Sequence, residues 1–189
     1  MRYEFNPDHI FLAIDTETTG FSKNGPRKQD GQGRVCQVAM LLFDGRGRSI
    51  MEVSTLIKPD GWKIGEGAGK IHGFTDDQCE RFGILQKSAV NLYRCMARKA
   101  DLLIAHNSEF DQNMMEIEEH YCDDENHALP SYFCTMKTNT HIAGGKWPKL
   151  EATLQHYCKR GLGSMAHNAM YDVQACRDIF LAQHGVIVS

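Results

Sequence analysis

Two short apolar runs, Ile10–Ile14 and Leu102–Ala105, break off at polar turns that carry acidic residues. Unalternating runs this short suit strands buried on both faces, since helices need roughly ten residues or more. The first run leads into Asp15-Thr16-Glu17-Thr18-Thr19-Gly20, the second into His106-Asn107-Ser108-Glu109-Phe110-Asp111. A third motif, His167-Asn168-Ala169-Met170-Tyr171-Asp172, opens the last periodic segment. Each acidic side chain is therefore expected at the rim of an apolar core.

The remaining elements follow from pattern. Val35–Phe43 and Ser49–Ile57 read as strands joined by the hairpin turn Asp44-Gly45-Arg46-Gly47. Segments 20–33 and 59–69 are Gly-rich and read as connections. Thr75 to Gln78 fits a capping box opening a short helix. Ala89, Leu92, Tyr93 and Met96 mark a helix over 88–99. Ser108 is expected to cap a helix reaching about Tyr121, with Asp111 as its box partner. A strand at 131–135, a helix from Thr153 to Arg160 stopped by Gly161, and a last helix from Ala169 to Gln183 complete the reading. Three strands followed by strands alternating with helices predict an α/β fold, a mixed central sheet flanked by helices.

The length of 189 residues fits one compact domain spanning 1–189. No segment approaches the roughly 20 apolar residues of a bilayer span. The first residues lack the apolar run of a secretory signal. A cytoplasmic protein with no membrane partner is expected. The cysteines number seven, an odd count without Cys-x-x-Cys, and read as reduced thiols, mostly in the core. Cys79 and Cys122 are expected at the surface. A net charge of −3 argues against gripping long nucleic acid through a broad basic face. Two local basic groups remain, Lys23, Arg27, Lys28 and Arg34 in one loop, and Lys137, Lys146 and Lys149 in another region. Solvated loop charge and phosphate contact both stay open for them.

Asp15 and Glu17 stand two residues apart, so on a strand both point to one face. Adjacent carboxylates raise each other's pKa, and a divalent cation relieves the conflict. Oxygen ligands of this kind suit Mg²⁺ or Mn²⁺. Acidic sites on three separated segments meet the requirement for two-metal phosphodiester hydrolysis, which makes a nuclease the expectation. In the second motif Glu109 and Asp111 are rival ligands, and a helix start favours either. His167 reads as a general base or as a surface histidine ahead of a helix; with nine histidines, chance proximity to an Asp is common.

Taken together, the motifs resemble the DEDDh branch of the DnaQ-like 3′→5′ exonucleases, which have a ribonuclease-H-like fold. The likeness runs from about Phe11 to about Phe180. Asp-x-Glu-Thr-Thr-Gly matches the first family motif. Ile104-Ala105-His106-Asn107-x-x-Phe110-Asp111 matches the second and selects Asp111 over Glu109. His-x-Ala-x-x-Asp at 167–172 matches the third motif of the histidine branch, Asn168 standing where the tyrosine branch carries Tyr. Ile71-His72-Gly73-Phe74-Thr75 and Cys134-Thr135-Met136, followed by Lys149-Leu150, resemble two auxiliary segments.

The resemblance implies that Asp15, Glu17, Asp111 and Asp172 hold two divalent cations, Mg²⁺ or Mn²⁺, with His167 as general base. It implies that backbone around Thr16 and Thr18 meets the terminal nucleotide, in a pocket lined by His72 and Phe110. The expected substrate is the 3′ end of single-stranded or frayed DNA, released as nucleoside 5′-monophosphates. Trimming of RNA 3′ ends is the near alternative; a non-catalytic nucleic-acid-binding module and a small-molecule phosphohydrolase are the contrasting classes. A DNA polymerase or other replication protein is the expected partner class. Because the sequence ends at Ser189, a free-standing enzyme or weakly held subunit is expected over a tethered one. Two departures stand out: the 21–34 loop is longer and more basic than the family's usual connection, and Gln37 replaces a Glu common in relatives.

Overall fold

The computed structural model describes residues 3–122, 128–163 and 168–187. His167 lies outside the described residues. A five-stranded mixed sheet has the order β3-β2-β1-β4-β5. Its strands are β1 (Ile10–Thr18), β2 (Val35–Asp44), β3 (Ser49–Leu56), β4 (Leu102–Ala105) and β5 (Tyr132–Cys134). β1 is antiparallel to β2 and parallel to β4. The sheet is the predicted one, and β1 outruns its apolar run to include the whole Asp-x-Glu segment.

The helices are α1 (Glu66–His72), α2 (Asp76–Phe82), α3 (Gln86–Ala97), α4 (Ser108–Tyr121), α5 (Leu150–Cys158) and α6 (Ala169–Gln183), with a 3₁₀ segment at Lys137–Ala143. Period-two alternation along β1 builds two cores. Leu12 and Ile14 join Val38 and Met40 in a cluster with Met96 of α3 and Met114 of α4. Phe11 and Ala13 join Leu41 and Phe43 in a cluster with Val173, Cys176 and Phe180 of α6. Burial on both faces is why the two central runs are uninterrupted by polar residues.

Several local expectations are corrected. The cap of α4 is Asn107, held in the left-handed region at φ 79°, and no side chain caps the helix. Ser108 is already its first helical residue, because the tight turn from β4 needs a left-handed residue and Asn tolerates that conformation. α5 starts earlier than predicted and is capped by Lys159 at φ 55° rather than stopped at Gly161. α1 occupies part of a stretch read as a Gly-rich connection. Glycines at 67 and 69 disfavour a helix, but an i,i+4 pair between Lys70 and Glu66 at 2.6 Å supports this one. The capping box at Thr75 and Gln78 is present as predicted. Cys79 is fully buried rather than at the surface, while Cys122 is half-buried and Cys95 is exposed. Among the described residues no helix is long and apolar enough to cross a membrane.

Candidate active site

β1 carries Asp15 and Glu17 on its α6 face, the face that alternation assigned to them. The register slips between Glu17 and Thr18, where β2 contributes an extra residue. Such bulges commonly sit beside active sites, where they re-aim side chains. Asp172 comes from the first turn of α6 and is buried. Ligand oxygens of Asp15, Glu17 and Asp172 all lie within 4.8 Å of one another.

Burial drives the Asp15 carboxyl well above the usual carboxylate range, and Asp111, Asp172 and Glu17 push it further. Burial raises Glu17 to about 7, with Asp172 and Asp111 acting in the same direction. Every neighbouring charge acting on these two groups is negative. A cluster of partly buried oxygen donors that disfavour their own ionisation fits a hard divalent cation.

Asp111 approaches from the first turn of α4 and is 2 % exposed. Its Oδ1 accepts hydrogen bonds from the Thr16 N–H at 3.0 Å and the Thr16 hydroxyl at 2.8 Å. Burial raises its pKa to about 7 against the opposing pull of those bonds. Glu109, the rival ligand, is exposed and paired with Lys137 at 2.6 Å, a neighbour that lowers its pKa. The structure thus brings three predicted ligands into one cluster and couples the fourth to it by charge.

A cavity of about 500 Å³ adjoins the cluster through Glu17. Thr16, Thr18, His72 and Phe110 all line it. Ile71, from the auxiliary segment, shares this wall, and the sequence did not single out Gly67 and Ala68, which α1 brings beside it, nor Phe21, which meets Phe110 edge-on at 6.2 Å. The Gly spacing that hid α1 also hid these residues. The side chains of Thr16 and Thr18 serve the protein, Thr16 on Asp111 and Thr18 on the Gly20 carbonyl at 2.9 Å. His72 accepts from the Phe74 N–H through Nδ1 at 3.1 Å, and burial lowers its pKa.

His106 is level with Asp15 when the parallel register Ala13–Ile104 is extended by two residues. Both ring nitrogens are engaged, Nδ1 with the Thr135 hydroxyl at 2.9 Å and Nε2 with the Pro148 carbonyl at 3.0 Å. The carbonyl only accepts, so Nε2 carries the proton. The basic loop residue Arg34 is no phosphate ligand. It is buried, forks onto Glu118 through two bonds of 2.9 Å, and stacks on Tyr121 at 3.8 Å. Gln37 faces Glu17 across the strand pair and donates to Ser54 at 3.1 Å.

The RNase_T family model, described as Exonuclease, matches residues 12–180. The DNA polymerase III subunit epsilon of Buchnera aphidicola subsp. Schizaphis graminum is 28% identical over 176 residues, covering 93% of this chain and 72% of that protein. The Treponema pallidum protein of the same name is 27% identical over 177 residues, covering 92% and 76%. Among solved structures, the zinc-bound complex of E. coli exonuclease I with single-stranded DNA superimposes with a TM-score of 0.71 at 21% identity. That match covers 94% of this chain but only 41% of the exonuclease I chain. Exonuclease X in complex with 5′ overhanging duplex DNA gives 0.63 at 21% identity, covering 94% of both chains. These structural likenesses agree with the ribonuclease-H-like sheet described above. The matched family span contains β4, most of β1 and every acidic residue of the cluster, and the chain belongs to the RNase_T family of exonucleases.

Proposed function

We propose that this chain is a metal-dependent 3′→5′ exonuclease that releases nucleoside 5′-monophosphates from single-stranded or frayed DNA. The observation that carries the reading is the convergence of half-buried Asp15 and Glu17 with buried Asp172, joined by charge to Asp111. These four side chains would hold two divalent cations, Mg²⁺ or Mn²⁺. Such ions supply charge neutralisation at the phosphate and activation of water, which their ligands alone do not provide.

The chain's own residues do the rest. Thr16 fixes the Asp111 carboxylate by two bonds to one oxygen, Oδ1. The apolar cavity takes the terminal nucleotide, with Phe110 and Phe21 offering ring faces that any base can pack against. Backbone at Thr16 and Thr18 borders the sugar, and His72 stays neutral beside it. His167 stands five residues before Asp172 in the sequence, which recommends it as the group that takes the proton from the attacking water. The names of the relatives favour DNA over RNA, and the epsilon subunits suggest a DNA polymerase as partner.

The test is digestion of matched DNA and RNA oligonucleotides labelled at the 5′ end, with Mg²⁺ and with chelator. A metal-dependent ladder that shortens from the 3′ end is expected, faster on DNA. Faster digestion of RNA would reassign the substrate. Cleavage that survives chelation, or none with Mg²⁺, would overturn the reading.

A further inference from the structure

We propose that Trp147, flanked by Lys146 and Lys149, is a base-stacking site for single-stranded DNA upstream of the scissile bond. The inference rests on the exonuclease reading above and extends the path of the substrate beyond the terminal pocket.

Trp147 is 66 % exposed, an unusual state for the largest apolar side chain. The chain's other tryptophan, Trp62, is 9 % exposed. The loop that presents Trp147 is tightly built. Gly144 and Gly145 take left-handed conformations at φ 61° and 91°, and the Gly145 N–H bonds the Thr140 carbonyl at 2.8 Å. Pro148 is buried, and its carbonyl receives the His106 Nε2–H at 3.0 Å. The following proline also restricts Trp147 to extended backbone. An exposed indole on a fixed backbone gives up little conformational freedom on binding.

The same bond places the loop. His106 is level with Asp15 on the neighbouring strand, and neighbouring strands lie about 5 Å apart. The loop is therefore tied, through the Pro148 carbonyl next to Trp147, to the strand position beside Asp15. It lies on the β4 side, whereas the cavity for the terminal nucleotide opens towards α1. Lys146 and Lys149 are both exposed beside it. An aromatic face between two cations suits a polyanion with stackable bases, which selects single-stranded nucleic acid over an apolar protein surface. An otherwise acidic chain needs such a local foothold.

The test compares the wild type with Trp147→Ala and Trp147→Phe. On a thymidine oligonucleotide of about 15 residues, Trp147→Ala should raise KM about tenfold, and Trp147→Phe should restore most of it. On the p-nitrophenyl ester of thymidine 5′-phosphate, which has no upstream nucleotide, all three proteins should match. In chelator, the oligonucleotide should quench the wild-type indole emission, and Trp147→Phe should abolish the quench. Quenching is read without turnover, so it stands even if no cleavage is seen and the exonuclease reading fails. Absence of quenching, or equal KM values on the oligonucleotide, would overturn the stacking site.

Discussion

At the scale of the residue, the acidic cluster sets catalysis against stability. Asp172 repels Asp15 and Glu17, raising the pKa of both. Asp172→Asn removes that repulsion together with one of the four proposed cation ligands. Metal-dependent cleavage should fall on the order of a thousandfold, the loss expected when several kcal/mol of charge stabilisation disappears. The same variant should melt higher than the wild type in chelator above neutral pH. Single-turnover cleavage and calorimetry check both, and an active or less stable variant would contradict the assignment. Thr16 makes a subtler prediction. Thr16→Val removes one of two donors to Asp111 Oδ1 and keeps the backbone N–H. A bond to a charged group is worth roughly 1.5–3 kcal/mol, so cleavage should drop about tenfold or more, with Mg²⁺ affinity by calorimetry falling in parallel. Thr16→Ser should retain both. The acidic residues themselves were legible in the sequence, because residue type and two-residue spacing fix a shared face. The Thr16–Asp111 bond was not, because it joins a strand to a helix 95 positions away. His167 keeps only its sequence argument.

At the scale of the element, one buried ion pair anchors the unusual loop. Arg34 ends the 21–34 connection, and Glu118 of α4 receives its two guanidinium bonds plus the Val35 N–H at 2.9 Å. Glu118 is fully buried and the Arg34 side chain nearly so. Removing one partner strands a buried charge. Glu118→Ala should destabilise the protein by about 3–5 kcal/mol, read as a fall in the denaturation midpoint. Glu118→Ala should also loosen the loop, exposing 21–34 to limited proteolysis before the sheet unfolds. An unchanged midpoint would show that the pair is energetically neutral. Strands and long helices were readable because their apolar periods are unbroken over four residues or more, as in Leu102–Ala105 and Ala169–Gln183. For Arg34 the sequence left solvated loop charge and phosphate contact open and offered no sign of a buried pair, since nothing local marks a partner 84 positions away. α1 was missed for the opposite reason: its buried residues are none, so no apolar stripe marks it.

At the scale of the whole molecule, these carboxylates link folding to protons and, in the proposed function, to metal. Glu17 and Asp111 titrate near 7 in the fold, far above their ordinary values of 4.5 and 3.8, and Asp15 is raised as well. The unfolded chain loses these protons first, so across that window the folded state binds more of them. Stability must therefore fall as pH rises from about 4 through about 7, with Asp15 acting in the same direction. His72 and His106 act in the opposite sense. Burial lowers their pKa values, so they add stability as pH rises towards 6.5. A melting curve against pH mixes both trends. The difference between curves with and without Mg²⁺ separates them, because the histidines are not cation ligands in this arrangement and cancel. Under the proposed assignment, cation binding to the ionised cluster would stabilise the fold by mass action, with protons competing for it. Millimolar Mg²⁺ should thus raise the melting temperature by several degrees at about pH 8 and hardly at all at about pH 5. Asp172→Asn should shrink that difference at the higher pH. A Mg²⁺ effect independent of pH would mean that the cation is held elsewhere than by these titrating carboxylates.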